Sequence, residues 1–364
     1  MTSRERVYAA LAKQPVDRVP VFMWFHPDTA HKLAGLLEIP VRDVGEAMGN
    51  DIRQTWVSNN YAMEGIVHER DGESHLDWWG VTWLRQHSFN QISRYPLAGA
   101  SREQVLAYRF PDERREDLLA LMDPVVSAGG DYFVGCDVSP CVFEMYWRLR
   151  GMEDAMTDIA ADPELAGEMF RRCADFTIGI GVEACERFTL DWYWTGDDVA
   201  GQRSLMMSPK SWRALVRPQL ERVIEVGKSR GLPVAYHCCG ALRPIIPDLI
   251  ELGVNVLNPI QTNCPGMDAL ELKREYGHQL AFMGGVDTQE LLPRATAAEV
   301  RRTTAALIEG MTADGGGYIL AASHTISPET PDENIFAMYE AAGIRKEELF
   351  DNAASIRARS GGGP

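Results

Sequence analysis

A short motif, His237-Cys238-Cys239-Gly240, places two soft metal donors directly after an apolar run over 233–236. The composition of this run is typical of a buried β-strand. Side chains two residues apart on an extended segment point to the same side, so His237 and Cys239 would present an imidazole and a thiolate together. Nitrogen and thiolate sulfur are common zinc ligands in proteins. The motif therefore predicts half of a zinc site.

A catalytic zinc ion commonly has three protein ligands and one open coordination position. The third donor must come from elsewhere in the chain: we expect His324, and the alternatives are Cys264, Glu144 and Asp198. A metal-free interpretation also stands, in which Cys238 and Cys239 are buried thiols and His237 is a hydrogen-bonded histidine of the barrel. The His-x-Cys spacing alone does not decide between these interpretations.

The elements that would position these residues alternate between short apolar runs and longer helical patterns. The predicted strands cover 19–25, 52–57, 131–136, 190–194, 233–237, 254–258, 279–283 and 318–322. The predicted helices cover 153–160, 163–187, 209–229, 242–252, 268–276, 297–310 and 331–342. Eight strands that alternate with helices favour an α/β fold, a (β/α)8 TIM barrel. A doubly wound sheet is less favoured, because no glycine-rich phosphate turn follows the first strand.

Two segments lie outside this alternation. A helix over 3–13 forms an N-terminal extension, and Asp71-Gly72 predicts the turn of a β-hairpin between 66–68 and 78–83. We expect a single domain over 1–355, followed by a disordered tail over 356–364 that ends in a run of glycines.

Bulk composition excludes several classes of function. The 364 residues carry a formal net charge of −16, which argues against nucleic acid as a partner because phosphate backbones require a basic face. No apolar run approaches the ~20 residues of a membrane-spanning helix, and the N-terminus has no apolar signal region. The seven cysteines are an odd number in a long chain, which disfavours a disulfide framework. We therefore expect a cytoplasmic protein that binds neither membranes nor nucleic acid.

In a barrel of this kind, chemistry takes place at the carboxyl ends of the strands. Several polar and aromatic residues follow predicted strands, and their shared position makes them candidates. Asp198 and Glu144 are the candidate catalytic carboxylates, although the pair 197–198 could equally cap the next turn. An apolar wall would come from Trp24, Phe25 and Phe143. Asp287 could bind a substrate or hold its own turn.

Over nearly its whole length, the chain resembles the uroporphyrinogen decarboxylase superfamily. The resemblance lies in the opening segment 2–7 with 15–21, in Gly284-Gly-Val-Asp287, and in 319–326 followed by Pro328, Thr330-Pro331 and Glu333-Asn334. It implies a (β/α)8 barrel. It also implies one of two chemistries: metal-free decarboxylation of the acetate arms of uroporphyrinogen, or methyl transfer between corrinoid proteins and thiols or tetrahydrofolate-like carriers.

The residues favour the methyl-transfer branch. Thiol-methylating members of the superfamily hold zinc on a His-x-Cys motif, which His237 and Cys239 match, and on a distant cysteine, where this chain has His324. A histidine at that position also resembles the decarboxylase branch. However, that branch has an arginine-rich segment after strand one that grips substrate carboxylates, and the corresponding segment 23–30 contains no arginine.

The sequence therefore predicts a zinc-dependent methyltransferase that moves a methyl group between a small methylated substrate or carrier and a corrinoid protein. The chain has no Asp-x-His-x-x-Gly corrinoid-binding pattern, so a separate protein would carry the corrinoid. One alternative is a metal-free decarboxylase acting on a porphyrinogen or a smaller carboxylic acid. A second is a non-catalytic module that docks a corrinoid protein. The oligomeric state is open, with a homodimer as one expectation.

Overall fold

The structure is a computed structural model that describes residues 1–57, 68 and 70–360. Its strands are β1 Ile52–Trp56, β2 Ser74–Leu76, β3 Thr82–Gln86, β4 Phe89–Arg94, β5 Phe133–Asp137, β6 Trp192–Gly196, β7 Val234–His237, β8 Val256–Ile260, β9 Ala281–Val286 and β10 Tyr318–Ala322. Its α-helices are α1 Ser3–Leu11, α2 Pro27–Leu37, α3 Val44–Ala47, α4 Arg102–Leu106, α5 Arg115–Leu119, α6 Asp123–Ser127, α7 Phe143–Arg150, α8 Met152–Ala161, α9 Pro163–Arg187, α10 Pro209–Leu215, α11 Arg217–Lys228, α12 Ile246–Leu252, α13 Ala269–Tyr276, α14 Leu291–Arg294, α15 Ala297–Thr312, α16 Asp332–Ala341 and α17 Lys346–Ser360. Within the described ranges, no helix combines the length and the apolar character needed to cross a membrane.

The chain forms two compact units. The first consists of Met1–Arg53, Asp131–Phe133 and Leu257–Pro364, and the second of Gln54–Gly130 and Val134–Val256. The predicted extent of a single domain over 1–355 stays a prediction.

In the second unit, β5, β6 and β7 are parallel neighbours. Every residue of β5 and β6 is buried, as expected for strands covered on both faces. Helix α11 packs against α9 and against β6 and β7. The register pairs Gly196, the last residue of β6, with His237, the last residue of β7. The segments that follow these two strands therefore start side by side.

The second unit also contains the predicted antiparallel excursion, with a different turn. Strands β2, β3 and β4 form a three-stranded antiparallel sheet. The tight turn lies at His87 and Ser88, which both have positive φ, as two-residue hairpin loops require. The carboxylate of Asp71 accepts hydrogen bonds from both of their amides, at 2.8 and 3.0 Å. The predicted strand over 66–68 lies mostly outside the described residues.

In the first unit, β8, β9 and β10 are neighbours, and the predicted strand over 19–25 is reduced to two isolated parallel bridges. Val21 pairs with Leu320, and Phe25 pairs with Ile326. Pro20 has no amide hydrogen to donate to a ladder. The amide of Val21 instead donates to the Asp51 carboxylate at 2.8 Å, so a side chain replaces a strand neighbour here.

Two predicted helices and the predicted disordered tail differ from the structure in their extent. The predicted helix over 209–229 is two helices, α10 and α11, because Pro218 lacks the amide hydrogen that a continuous helix needs there. Pro247 likewise leaves only α12 within 242–252, after a 3-10 turn at Arg243–Ile245. The predicted disordered tail is helical up to Ser360, since buried Leu349, Ala353 and Ile356 continue one apolar face.

Candidate metal centre

The His237-Cys238-Cys239 segment at the end of β7 has the predicted arrangement, with His237 and Cys239 on the same side of the backbone. Val234, Ala235 and Tyr236 are buried, which explains why this run forms an interior strand. Cys238 is fully buried, and burial raises the pKa of its thiol well above the usual range. His237 and Cys239 on either side of it are only half-buried. The two predicted donors therefore share the accessible side of the segment, and Cys238 is a core thiol.

Three side chains in the second unit form a group that could hold a metal ion: Asp198, His237 and Cys239. One donor atom from each lies within 4.8 Å of the others. The sulfur of Cys239 lies 3.5 Å from Nε2 of His237. A tetrahedral zinc ion with ordinary Zn–N and Zn–S bonds would separate these two atoms by about 3.6 Å. The types of the three donors, and the spacing of the His237 nitrogen and the Cys239 sulfur, therefore fit zinc.

The loop after β6 brings Asp198 to this group through backbone hydrogen bonds. The Cys239 amide donates to Oδ1 of Asp198 at 2.8 Å. The Asp198 amide in turn donates to Oε2 of Glu144 at 3.1 Å, and the other oxygen of Glu144 accepts from Arg148 at 2.6 Å. Both predicted carboxylates therefore lie at the centre, but only Asp198 belongs to the donor group.

Adjacent Asp197 has a different role from Asp198. It is fully buried, and its carboxylate accepts from the amides of Val142, Phe143 and Glu144 at 2.7 to 3.4 Å, which caps the start of α7. Burial raises the pKa of Asp197 to about 7, the negative charge of Glu144 acts in the same direction, and the three amides oppose the shift. Asp197 therefore caps a helix that precedes it in the chain and not the next turn, and the predicted catalytic role of Asp198 stays a prediction.

Two glycines allow the backbone segments of the site to approach closely. A Cβ atom on Gly196 would lie 2.8 Å from the Cβ of His237. Gly240 has a φ of +96°, and a Cβ there would lie 2.5 Å from the carbonyl oxygen of Gly201. Both approaches are closer than side chains allow, so glycine is required at these positions.

Phe143, predicted to form part of an apolar substrate wall, is fully buried. Its ring packs edge-on against Phe170 with the centroids 6.3 Å apart. This packing places Phe143 in the core of the second unit and does not support a place in a wall that contacts substrate.

The remaining predicted residues belong to the first unit. Trp24 and Phe25 are half-buried, and their predicted substrate contacts stay predictions. Asp287 holds its own turn, since its carboxylate accepts from the amides of Gln289 and Leu291 at 2.9 and 3.1 Å. His324 is exposed after β10 and is not a member of the donor group. Among the described residues, the group that could hold a metal thus contains Asp198, from the loop after β6, and not His324, whose role as a third ligand stays a prediction.

Sequence reasoning missed Arg148. The signal was present, because Glu144 and Arg148 are four residues apart and such pairs face each other on a helix. The segment 143–150 was not among the predicted helices, and a spacing of four residues indicates contact only on a helix.

Part of the chain is similar in sequence to known uroporphyrinogen decarboxylases. The model of the family described as uroporphyrinogen decarboxylase (URO-D) matches residues 135–343. The uroporphyrinogen decarboxylases of two strains of Thermus thermophilus are each 29% identical over 131 residues, which is 35% of this chain and 35% of theirs. These matches thus span about a third of the length of the curated relatives.

A methyltransferase from Methanosarcina mazei has a similar structure, with a TM-score of 0.65 and 20% sequence identity. The similarity covers 94% of this chain and 98% of the methyltransferase. This likeness concerns the fold, and it confirms the predicted α/β TIM-barrel class. Because the URO-D model matches more than half of its residues, the chain belongs to the uroporphyrinogen decarboxylase family.

Proposed function

We propose that this protein is a zinc-dependent methyltransferase that moves a methyl group between a small methylated substrate or carrier and a corrinoid held by a separate protein. The observation that carries the proposal is the group formed by Asp198, His237 and Cys239, whose donor atoms suit zinc in type and spacing. The structural neighbour, a methyltransferase by name, is in keeping with this chemistry. A homodimer remains an expectation.

A bound zinc ion would act as a Lewis acid, holding a thiol as thiolate near neutral pH or polarising a methoxy or methylthio group. His237 and Cys239 would hold it from the end of β7, where strand pairing fixes the backbone of His237 opposite Gly196. Asp198 would complete the set, with its carboxylate oriented by the Cys239 amide. All three side chains are half-buried, so a small substrate can reach them.

The first test of the proposal is the metal content of purified protein. We expect wild-type protein to contain zinc, or to take it up when zinc is added, and His237→Ala to lose it. Cys238→Ala is the matched control, because Cys238 is the neighbouring cysteine and lies outside the donor group. Wild-type protein that neither contains zinc nor takes it up would contradict the proposal.

The second test is methyl transfer itself. Zinc-loaded protein would be mixed with cob(I)alamin and a panel of methylated thiols, amines and methoxy compounds, and methylcobalamin formation would be followed by absorbance. We expect at least one class of methyl donor to react with wild-type protein and not with His237→Ala. Complex formation with a corrinoid protein, without methyl turnover on any donor, would instead indicate a docking module.

A second candidate function is metal-free decarboxylation, because both curated relatives are named uroporphyrinogen decarboxylase. The segment 23–30, which contains no arginine to grip substrate carboxylates, argues against it. Incubation with uroporphyrinogen distinguishes the two functions. Stepwise loss of carbon dioxide in the mass spectrum, unaffected by chelators, would favour the decarboxylase.

A further inference from the structure

A part-buried ion pair on α7 lies behind the donor group. Nη2 of Arg148 donates to Oε1 of Glu144 at 2.6 Å, and the two side chains are only 18% and 10% exposed. The other carboxylate oxygen of Glu144 accepts from the Asp198 amide. Each Glu144 oxygen thus has a hydrogen-bond donor, and Glu144 is not part of the donor group. Hydrogen bonds to the Arg148 side chain and to the Asp198 backbone suit a residue that orients others.

From Glu144, a chain of hydrogen bonds reaches the sulfur donor. Glu144 holds the backbone of Asp198, and the carboxylate of Asp198 holds the backbone of Cys239. The Cys239 sulfur lies 3.5 Å from the imidazole of His237. Displacement of Glu144 would therefore move two of the three donors relative to the third.

The polar groups near the Arg148 guanidinium support its pairing with Glu144. Nearby Asp77 attracts Arg148 electrostatically, but its carboxylate is engaged by the amides of Trp79 and Val81 and by the indole of Trp83, at 2.8 to 2.9 Å. Asp77, Trp83 and Arg148 line a cavity of about 10 Å³. Nε and Nη1 of Arg148 are buried, with no hydrogen-bond partner among the described residues. Among those residues, Glu144 is thus the one carboxylate that pairs with Arg148.

We propose that Glu144 and Arg148 are positioning residues of the metal centre, which set the spacing of its donors through the backbone of Asp198. The proposal rests on the proposed zinc site. Groups that orient metal ligands commonly change metal affinity by 10-fold to 100-fold when they are mutated. The Glu144–Arg148 pair is in a position to do the same here, through the hydrogen bond from the Asp198 amide to Glu144.

The test compares zinc affinity in variants of the full chain, measured by competition with a chromophoric chelator. We expect Arg148→Met to bind zinc about 10-fold more weakly than wild type, and Arg148→Lys to recover part of the loss because it keeps the positive charge. The matched control is Arg294→Met, which breaks an exposed pair with Glu290 at the same four-residue spacing. The control should bind zinc as wild type does.

A second readout is independent of affinity and of turnover. Cobalt(II) bound in place of zinc gives visible absorption bands that report its coordination geometry, and we expect these bands to shift in Arg148→Met and not in Arg294→Met. Glu144→Gln tests the same ion pair in case Arg148→Met does not fold. It keeps the shape of the side chain and an acceptor for the Asp198 amide, and it removes the negative charge. It should also weaken zinc binding and shift the cobalt bands.

The possible failures are distinguishable. If wild-type protein binds no zinc, the proposed function fails and this inference fails with it. If wild-type protein binds zinc and the variants at Arg148 and Glu144 match it in affinity and in cobalt spectrum, the positioning role is overturned and the zinc site stands.

Discussion

The amide of Cys239 donates to Oδ1 of Asp198 at 2.8 Å, which joins the loop after β6 to the segment after β7 at the candidate metal centre. This bond does two things at once. It fixes the orientation of a carboxylate that can itself bind a metal, and it fixes the backbone of the residue that supplies the thiolate. Outer hydrogen bonds of this kind orient metal ligands in other proteins, and their loss weakens metal binding.

The first prediction concerns the identity of the third donor. Asp198→Ala removes the carboxylate and leaves the Asp198 amide bonded to Glu144, so it tests the side chain alone. We expect zinc affinity to fall by at least about 10-fold, the lower end for groups that only orient a ligand. His324→Ala should keep wild-type affinity, because His324 lies outside the donor group. The opposite result, measured by the same chelator competition, would restore His324 as the third ligand.

The second prediction concerns the close approach of β6 and β7. Gly196→Ala would place a methyl group 2.8 Å from the Cβ of His237, so one strand must shift. We expect the free energy of unfolding to fall by about 1–3 kcal/mol, as for other overpacked sites, and zinc affinity to fall as well. Urea unfolding and zinc competition measure the two effects.

Gly201→Ala is the control for this substitution, because the nearest atom to its added Cβ, the Ser204 carbonyl oxygen, lies 3.8 Å away. It should bind zinc normally. Normal zinc binding by Gly196→Ala would show that the spacing at the end of these strands does not set the site.

The third prediction uses the reactivity of cysteines. In the described part of the chain, Cys185 and Cys239 are half-buried and the other cysteines are buried. Iodoacetamide should therefore label these two in metal-free protein, Cys185 only slowly, because alkylation needs the thiolate and burial raises the pKa of the Cys185 thiol. Zinc should protect Cys239 and leave Cys185 reactive, as mapped by peptide mass spectrometry. Equal labelling of Cys239 with and without zinc would contradict its role as a ligand.

The sequence was most informative where the chemistry is local. The apolar run before His237 predicted β7, and the two-residue period of a strand placed His237 and Cys239 on one side. Both parts of this prediction were confirmed. Neither requires any knowledge of which other segments lie nearby.

The third donor could not be predicted in this way. Asp198 reaches Cys239 because β6 and β7 pair with Gly196 opposite His237, and that register is set by packing between distant segments. Asp197 and Asp198 are also identical in type and adjacent in sequence. They differ in the path of the loop. Asp197 points into the core and caps α7, whereas Asp198 is half-buried beside His237.

The fourth prediction concerns pH and Asp137, the last residue of β5. Only 1% of Asp137 is exposed, and burial raises the pKa of its carboxyl well above the usual range. An unfolded aspartate titrates near pH ~3.9. Between that value and the raised folded pKa, the folded state holds a proton that the unfolded state has lost. This group therefore lowers the free energy of unfolding as pH rises, by at most about 1.4 kcal/mol per pH unit.

Asp137→Asn removes this titration and keeps an acceptor for the Ser139 amide, which donates to Asp137 at 2.8 Å. We expect the stability of the variant relative to wild type to increase between about pH 5 and about pH 8, as measured by urea unfolding. Asp71→Asn is a control of opposite sign, because the amides of Ser88 and His87 lower the pKa of Asp71. Its difference from wild type should stay constant over that range and shrink only at lower pH. A constant difference for Asp137→Asn as well would mean that Asp137 is already ionised in the folded protein at about pH 5, and that hydrogen bonds outweigh its burial.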